Sequence, residues 1–179
     1  MRFLFVFLVI AMGCQHAPQA RKAATIPLEL TVSRDDAVDA VVAPPVGWKA
    51  QPLKFSSQHR HQLWLSPSGN TAYGVIFFHL PLPVGTDLAL WGFLNQMKKS
   101  EGEARLISKR WDPNLGALRF EAEGGLYRIR GNLFASGLRG WVIYAGTLRN
   151  ASINEKELEL ATLARESTRM DANAGISGK

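Results

Sequence analysis

Leu118-Arg-Phe-Glu-Ala-Glu-Gly-Gly-Leu-Tyr-Arg-Ile-Arg-Gly131 is the stretch that decides the fold. Apolar and charged residues alternate on both sides of a glycine pair, which is the period-two pattern of a β-hairpin with one buried face. A two-residue turn centred on Gly124-Gly125 pairs Ala122 with Tyr127, Phe120 with Ile129 and Leu118 with Gly131 on the apolar face. The charged face then sets Glu121 against Arg128, which is favourable, and Arg119 against Arg130, which is not.

The same alternation extends outward. Gly140-Trp-Val-Ile-Tyr-Ala-Gly-Thr-Leu148 reads as the next strand, and a three-residue loop at Ser136-Gly137-Leu138 would align Trp141, Ile143 and Ala145 with that apolar face. Ala104-Arg-Leu-Ile-Ser-Lys-Arg-Trp111 is a more polar strand on the other side. Further upstream, Gln62-Leu-Trp-Leu-Ser66 and Thr71-Ala-Tyr-Gly-Val-Ile-Phe-Phe-His79 flank the turn signal Pro67-Ser-Gly-Asn70. A loop at Ser68-Gly69 pairs Trp64 with Tyr73, Leu65 with Ala72 and His59 with Phe78. Trp64, Tyr73, Val75 and Phe77 share one face, while Leu63, Leu65, Ile76 and Phe78 share the other. A sheet that is apolar on both faces must be covered on both, which places this hairpin centrally.

Two helices are expected. Thr86 or Asp87 caps one that runs to about residue 100, with Leu90, Trp91, Leu94 and Met97 in one stripe and Gly102 just past its end. The other runs over about residues 154–170, with Leu160, Leu163, Ala164 and Ser167 along one side. Ser152 with Glu155, or Asn154 with Glu157, offers it a capping box. Ile26-Pro-Leu-Glu-Leu-Thr-Val32 suits a short edge strand because of its proline, and Ser33-Arg-Asp-Asp36 a turn or helix start. Ala43-Pro-Pro-Val-Gly-Trp48 breaks regular structure. The expectation is an α+β fold, an antiparallel β-sheet meander flanked by helices on both faces, forming a single domain over residues 26–170.

The N-terminus carries a different kind of signal. Met1-Arg2 precedes an unbroken apolar run over residues 3–12, which is too short to span a bilayer but suits a secretory signal. The run ends in Ile10-Ala11-Met12-Gly13-Cys14. This resembles the lipobox of bacterial lipoproteins, although Ala11 stands where that family usually has Leu. The resemblance implies a signal peptide over residues 1–13, cleavage before Cys14 and acylation of Cys14. Residues 14–25 then form a flexible tether, and acyl chains hold the protein at the membrane surface of the bacterial cell envelope. Residues 171–179 are small and polar and read as a disordered tail. Because Cys14 is the single cysteine, disulfide frameworks and Cys-based zinc sites are excluded.

A second resemblance rests on the order of elements. Pro45-Val-Gly-Trp48, a hairpin, a helix after a proline-rich turn, a meander and a C-terminal helix look like the PsbP-like α/β/α sandwich. That fold is shared by extrinsic photosystem subunits and Ran-binding import factors, most of which bind other proteins. The resemblance implies a non-catalytic binding module, and no site residue is carried over from it.

The chemical candidates are few. His59 and His61 lie on one face of an extended chain at a spacing that can grip a metal ion. His79 falls on the opposite face, however, and no Asp or Glu lies between residues 40 and 86. Solvated edge histidines are the better reading, and no metal or other cofactor is expected. Ser66, Ser68 and Ser136 sit beside turn residues with no Gly-x-Ser-x-Gly elbow. Glu121 and Glu123 are same-face neighbours, but arginines surround them. The charge feature with shape is the basic meander of Arg105, Lys109, Arg110, Arg119, Arg128, Arg130, Arg139 and Arg149, set against Asp112, Glu121 and Glu123. Arg119, Arg128 and Arg130 share one face, fit for an acidic envelope protein partner or for anionic lipid headgroups. The competing reading is a solvated sheet face whose arginine stems cover apolar surface. Export and the placement of the aromatics disfavour nucleic acid. The sequence thus points to a lipid-anchored, non-enzymatic protein-binding or assembly module of the envelope. The alternative is an exported metal- or small-molecule-binding domain, or an enzyme, using His59 and His61.

Overall fold

The computed structural model describes residues 30–56 and 59–170. The signal peptide, Cys14, the tether and the tail expected at 171–179 lie outside the described residues. In chain order the elements are β1 (Ser33–Asp35), β2 (Ala40–Val42), β3 (Lys49–Ala50), β4 (Lys54–Phe55), β5 (His59–Leu65) and β6 (Thr71–His79). Then come α1 (Thr86–Glu101), β7 (Ala104–Asp112), β8 (Ala117–Gly124), β9 (Tyr127–Ser136), β10 (Arg139–Leu148), α2 (Glu155–Ser167) and β11 (Arg169–Met170). The fold is α+β, and the pairings between strands are antiparallel.

The main sheet has the strand order β3-β5-β6-β10-β9-β8-β7, with β4 also pairing with β5. The first hairpin forms in the expected register, with Trp64 opposite Tyr73, Leu65 opposite Ala72 and His59 opposite Phe78. Its turn is closed by the Ser66 N–H donating to Thr71 O at 2.9 Å, with Gly69 at φ +75°. Within the hairpin only β6 is central; β5 is bordered by the short strands β3 and β4.

The second hairpin differs from expectation by two residues of register. Ala122 pairs with Ile129, Phe120 with Gly131 and Leu118 with Leu133, so the loop residues are Gly125 and Leu126. The cause lies in α1. The Glu101 carboxylate accepts the N–H groups of Leu126 and Tyr127 at 3.1 and 3.4 Å, and a Cβ on Gly125 would sit 2.4 Å from Glu101 O. A shift of two keeps every side chain on its face. It also replaces the expected Arg119–Arg130 opposition: Arg130 stands opposite Glu121, Arg128 opposite Glu123 and Arg119 opposite Asn132. Glu101→Ala should cost about 1 kcal/mol and speed amide exchange at Leu126 and Tyr127 above all. Unchanged exchange there would mean that the glycines set the turn without Glu101.

The next loop is one residue shorter than expected. Ser136 pairs with Arg139 across Gly137-Leu138, and Gly137 at φ +59° occupies the first central position, where a type II′ turn takes glycine. This reverses the assignment of Trp141, Ile143 and Ala145, which now face away from Leu118, Phe120 and Ala122. Alternate residues of β10 therefore enter two separate cores. Val142 and Tyr144 join Phe120, Ile129, Leu133 and Leu90 and Met97 of α1. Trp141, Ile143 and Ala145 join Tyr73, Val75, Phe77 and Ala161 and Ala164 of α2.

Gly102 at φ +83° ends α1 as expected, its N–H donating to Lys98 O. Its N-cap, however, is Gly85, with no side-chain cap. Thr86 and Asp87 lie inside the helix, and Asp87 is drawn into an ion pair with Lys109 on β7. Trp91 does not join the buried stripe and is 63% exposed, since the next residue on a helix points about 100° away from Leu90. In α2 the Asn154 Oδ1 caps the N–H groups of Lys156 and Glu157 at 3.1 and 3.3 Å. The buried stripe is Glu157, Ala161, Ala164 and Arg165, rather than the expected line through Leu160, Leu163 and Ser167. Small alanines let the helix sit close over Trp141 and Tyr73, and Leu160 packs at the margin. The helix stops at Ser167, short of residue 170, because Arg169 and Met170 pair with β2.

Where the described chain begins, Thr31 and Val32 are not in a strand, and residues 33–35 form β1 instead of a turn or helix start. The β1–β2 turn ends at Asp39, at φ +51°, a left-handed conformation that Asp tolerates. Arg34 and Arg139 hold its carboxylate at 3.0 and 2.9 Å. β1, β2 and β11 make a three-stranded sheet that packs Val38, Ala40 and Val42 onto the α2-side core. β7 is an edge strand exposed along most of its length; a bulge between Leu106 and Ser108, with Lys109 and Arg110, guards it against edge pairing.

Candidate functional site

α1 lies against β7, β8 and β9, whereas α2 lies against β6 and β10. On the face opposite α1, the side chains of β8 and β9 therefore project beside α2. Odd positions of β8 and even positions of β9 stand opposite each other there, which brings Arg119, Glu121, Glu123, Arg128 and Arg130 onto one surface. The shared face expected for Arg119, Arg128 and Arg130 is found.

Its electrostatics are a ladder of alternating sign. Arg105 reaches Glu123 at 2.6 Å, Arg128 reaches Glu121 at 2.8 Å and Glu123 at 4.0 Å, and Arg130 reaches Glu121 at 3.3 Å. The hydrogen bond from Arg105 holds the Glu123 carboxyl below its usual range. The arginines stay open to solvent while the carboxylates are covered: side-chain exposure is 75% for Arg105 and 56% for Arg130, against 19% for Glu121. Ion pairs this open to solvent contribute little, so the ladder is a poor stabiliser. What it presents outward is mainly guanidinium edge, with donors free to turn toward an anionic partner.

Arg119 belongs to a different arrangement. It donates to Asp112 at 2.7 Å and to Glu166 of α2 at 3.2 Å, tying the β7–β8 turn to the helix. Burial raises the Asp112 carboxyl, but the bond from Arg119 and the N–H groups of Leu115 and Asn114 outweigh it and leave the group below its usual value. Glu166 lies on a distant helix, and no local spacing in the sequence points to it. Lys109 and Arg149 pair with Asp87 and Glu103, and Arg139 lies over the Trp141 ring at 5.4 Å.

The histidines separate. His59 and His61 share a face, and His79 lies on the opposite one beside Phe77, as the register implied. His59 Nδ1 is 2.7 Å from the Ser56 hydroxyl. His61 Nε2 is 2.8 Å from the hydroxyl of Tyr144. Burial, then the charges of Lys54 and His59, lower His61 to about 4, which keeps the ring neutral beside the Tyr144 hydroxyl. Burial likewise pushes Tyr144 far above the usual phenol value. A Cβ on Gly74 would fall 2.4 Å from the Tyr144 ring, so this glycine makes the room that the pair occupies. No group of three His, Cys, Asp or Glu residues suited to a metal ion occurs among the described residues.

Ser68 donates its N–H and hydroxyl to Glu157 at 3.2 and 2.5 Å, which clamps the β5–β6 turn to α2. Ser66 lies 3.2 Å from Ser68, and Ser136 ends β9 beside the turn at Gly137. No family model and no curated protein matches the chain.

Proposed function

We propose that this chain is a lipid-anchored protein of the bacterial cell envelope, held at the membrane through Cys14, whose domain binds an acidic envelope protein without catalysing a reaction. The domain is read as a PsbP-like α/β/α sandwich. The division of β10 between an α1-side core and an α2-side core supports that reading. The binding role is carried by one observation, the exposed guanidinium ladder of Arg105, Arg128 and Arg130 over largely covered carboxylates. A surface arranged for stability alone gains little from it. As a recognition surface it offers steering and several charge-assisted donors.

Two measurements test this reading. The intact mass of membrane-extracted protein should correspond to a chain starting at Cys14 with added acyl chains, and Cys14→Ser should lose both the mass and the membrane partition. A soluble, unacylated mature form would overturn the localisation. Arg128→Glu with Arg130→Glu should weaken crosslinking to envelope partners about tenfold or more while leaving the thermal midpoint within a few degrees. Arg119 is left intact because it holds the turn to α2. Undiminished crosslinking would remove the ladder from the binding surface.

A further inference from the structure

Four large apolar side chains on the α1 side of the domain stand open to solvent. Leu88 and Trp91, on the outer flank of α1, are 55% and 63% exposed, and Leu106 and Trp111 of β7 are 36% and 51% exposed. The two β7 residues pair with Ala122 and Leu118, whose side chains lie in the α1-side core. Leu106 and Trp111 therefore share the face of the sheet that α1 covers. The ion pair between Asp87 and Lys109 holds the first turn of α1 along β7, and Trp91 follows Asp87 by one turn on that flank. The four side chains are gathered on one side rather than scattered singly, and such a cluster marks a surface that meets something apolar.

The unpaired charges around them are of one sign. Lys98 lies about two turns along the helix from Trp91, and Lys99 about three turns from Leu88. Both are exposed, and neither has an acidic partner among the described residues. The acidic residues of α1 are engaged elsewhere: Asp87 pairs with Lys109, and Glu101 accepts the N–H groups of Leu126 and Tyr127. Glu103, just past the helix, pairs with Arg149. A hollow of about 710 Å³ runs along this face from Trp91 to Lys99 and Gly102. Exposed tryptophan beside unpaired lysine suits a membrane–water interface. There the ring sits at headgroup depth, and lysine stems lie along the apolar zone with their charges among the phosphates. Protein–protein interfaces share the enrichment in aromatics but are depleted in lysine.

We propose that this face of α1 and β7 rests on an anionic lipid bilayer. Leu88, Trp91, Leu106 and Trp111 sit at the boundary between headgroups and acyl chains, and Lys98 and Lys99 meet lipid phosphates. Buried apolar area and attraction to anionic lipid both strengthen such docking. The proposal rests on the proposed lipid anchor only for the nearness of a bilayer. Residues 15–29 separate Cys14 from the first described residue, Leu30, and can span about 50 Å, more than the width of a domain this size. The anchor therefore permits the contact without dictating which face makes it. The arginine ladder lies on the opposite face of the same strands. Docking through α1 and β7 turns Arg105, Arg128 and Arg130 toward the aqueous side, where a protein partner can reach them.

The test is spin labelling of the membrane-extracted chain, reconstituted into phosphatidylcholine vesicles with and without phosphatidylglycerol. On the phosphatidylglycerol vesicles a nitroxide at Leu88→Cys should become accessible to oxygen and shielded from a water-soluble nickel chelate. One at Lys156→Cys, exposed at the start of α2, should stay in water. Trp91→Ala, at a position too exposed to hold the fold, should lower the ratio of docked to free domain about tenfold. Lys98→Gln with Lys99→Gln should lower it about thirtyfold. An acylated Cys14 leaves position 88 as the single thiol. A second label per chain would mean that Cys14 is free and that the anchor reading fails; the full chain with Cys14→Ser then carries the same measurement, binding the vesicles from solution. The proposal is overturned if the label at 88 stays in water on the anionic vesicles, if neutral vesicles immerse it equally, or if the label at 156 is immersed as deeply. Normal docking by both variants overturns it too, as does dipolar broadening between labels at 88, which would place a second copy of the chain on this face.

Discussion

Trp141→Ala is expected to lower stability by about 4 kcal/mol, read as a fall in the urea midpoint at unchanged slope. The ring is 2% exposed and lies in the core between β6 and α2, 5.5 Å from Phe77. Removing it deletes a large buried area and leaves a cavity that the rigid sheet cannot collapse. It also breaks the bond from Trp141 Nε1–H to Val38 O, 3.1 Å long, which fastens the β1–β2 turn over the main sheet. The amides of Ala40 and Val42 should therefore lose exchange protection beyond the global loss. Trp141→Phe restores most of the packing without the N–H and should cost about 1–2 kcal/mol, with the same local signature. A loss under about 1.5 kcal/mol for the alanine variant, the range of a tolerated core swap, would mean that the ring does not hold the two sheets together.

Lowering the pH should produce an effect of similar size through His61. Its folded value of about 4 lies below the ordinary imidazole value of 6.5, so the unfolded chain takes up the proton first as pH falls. Stability from this group is complete above about pH 6.5 and declines toward pH 4. At 1.36 kcal/mol per unit, the window amounts to about 3 kcal/mol. Below it the imidazole itself protonates, and its Nε2 can only donate to the Tyr144 oxygen. Asp112, Glu123 and Glu157 are all held below the ordinary carboxylate range and weaken the fold in turn at the acid end of the range. His61→Gln, neutral throughout and still able to hydrogen-bond Tyr144, should flatten the profile between pH 6 and 5 and leave the acid limb. A variant that keeps the wild-type slope there would show that another group carries the titration.

Local alternation was enough to read most of the strands. The first hairpin was legible to the residue because Pro67-Ser-Gly-Asn70 admits one turn, and Trp64, Tyr73, Val75 and Phe77 admit one facing. The second was legible in its faces but not in its register. Gly124 and Gly125 are equivalent in sequence, and the choice between turns comes from Glu101, more than twenty residues upstream. The facing of β10 failed for a related reason: both parities of residues 141–145 are apolar, so only loop length decides, and Gly137 shortened it. In α2, leucines drew attention away from the alanines, since a hydrophobicity pattern does not record how closely a helix must approach a sheet. The shared face of Arg119, Arg128 and Arg130 was readable from period two alone. The separate job of Arg119 was not, because Glu166 lies forty-odd residues away in sequence. The burial of Asn132 was not legible, since period two puts it on the face of the exposed Arg128 and Arg130.

The double burial of β10 bears on when the domain can form. Residues 139–148 are shared by both cores, and their neighbour β6 lies some sixty residues earlier in the chain. The β7–β9 meander and α1 are local and can assemble quickly, but they close only one side. The other side needs a distant strand and a helix that comes later still. Such long loop closures slow the rate-limiting step. Unfolding has to pry apart two faces of one strand together, so the native chain should also be slow to open. A chain interrupted before residue 139 keeps most of the α1-side core but lacks β10 and α2, and would meet proteases as a sheet with its other face open.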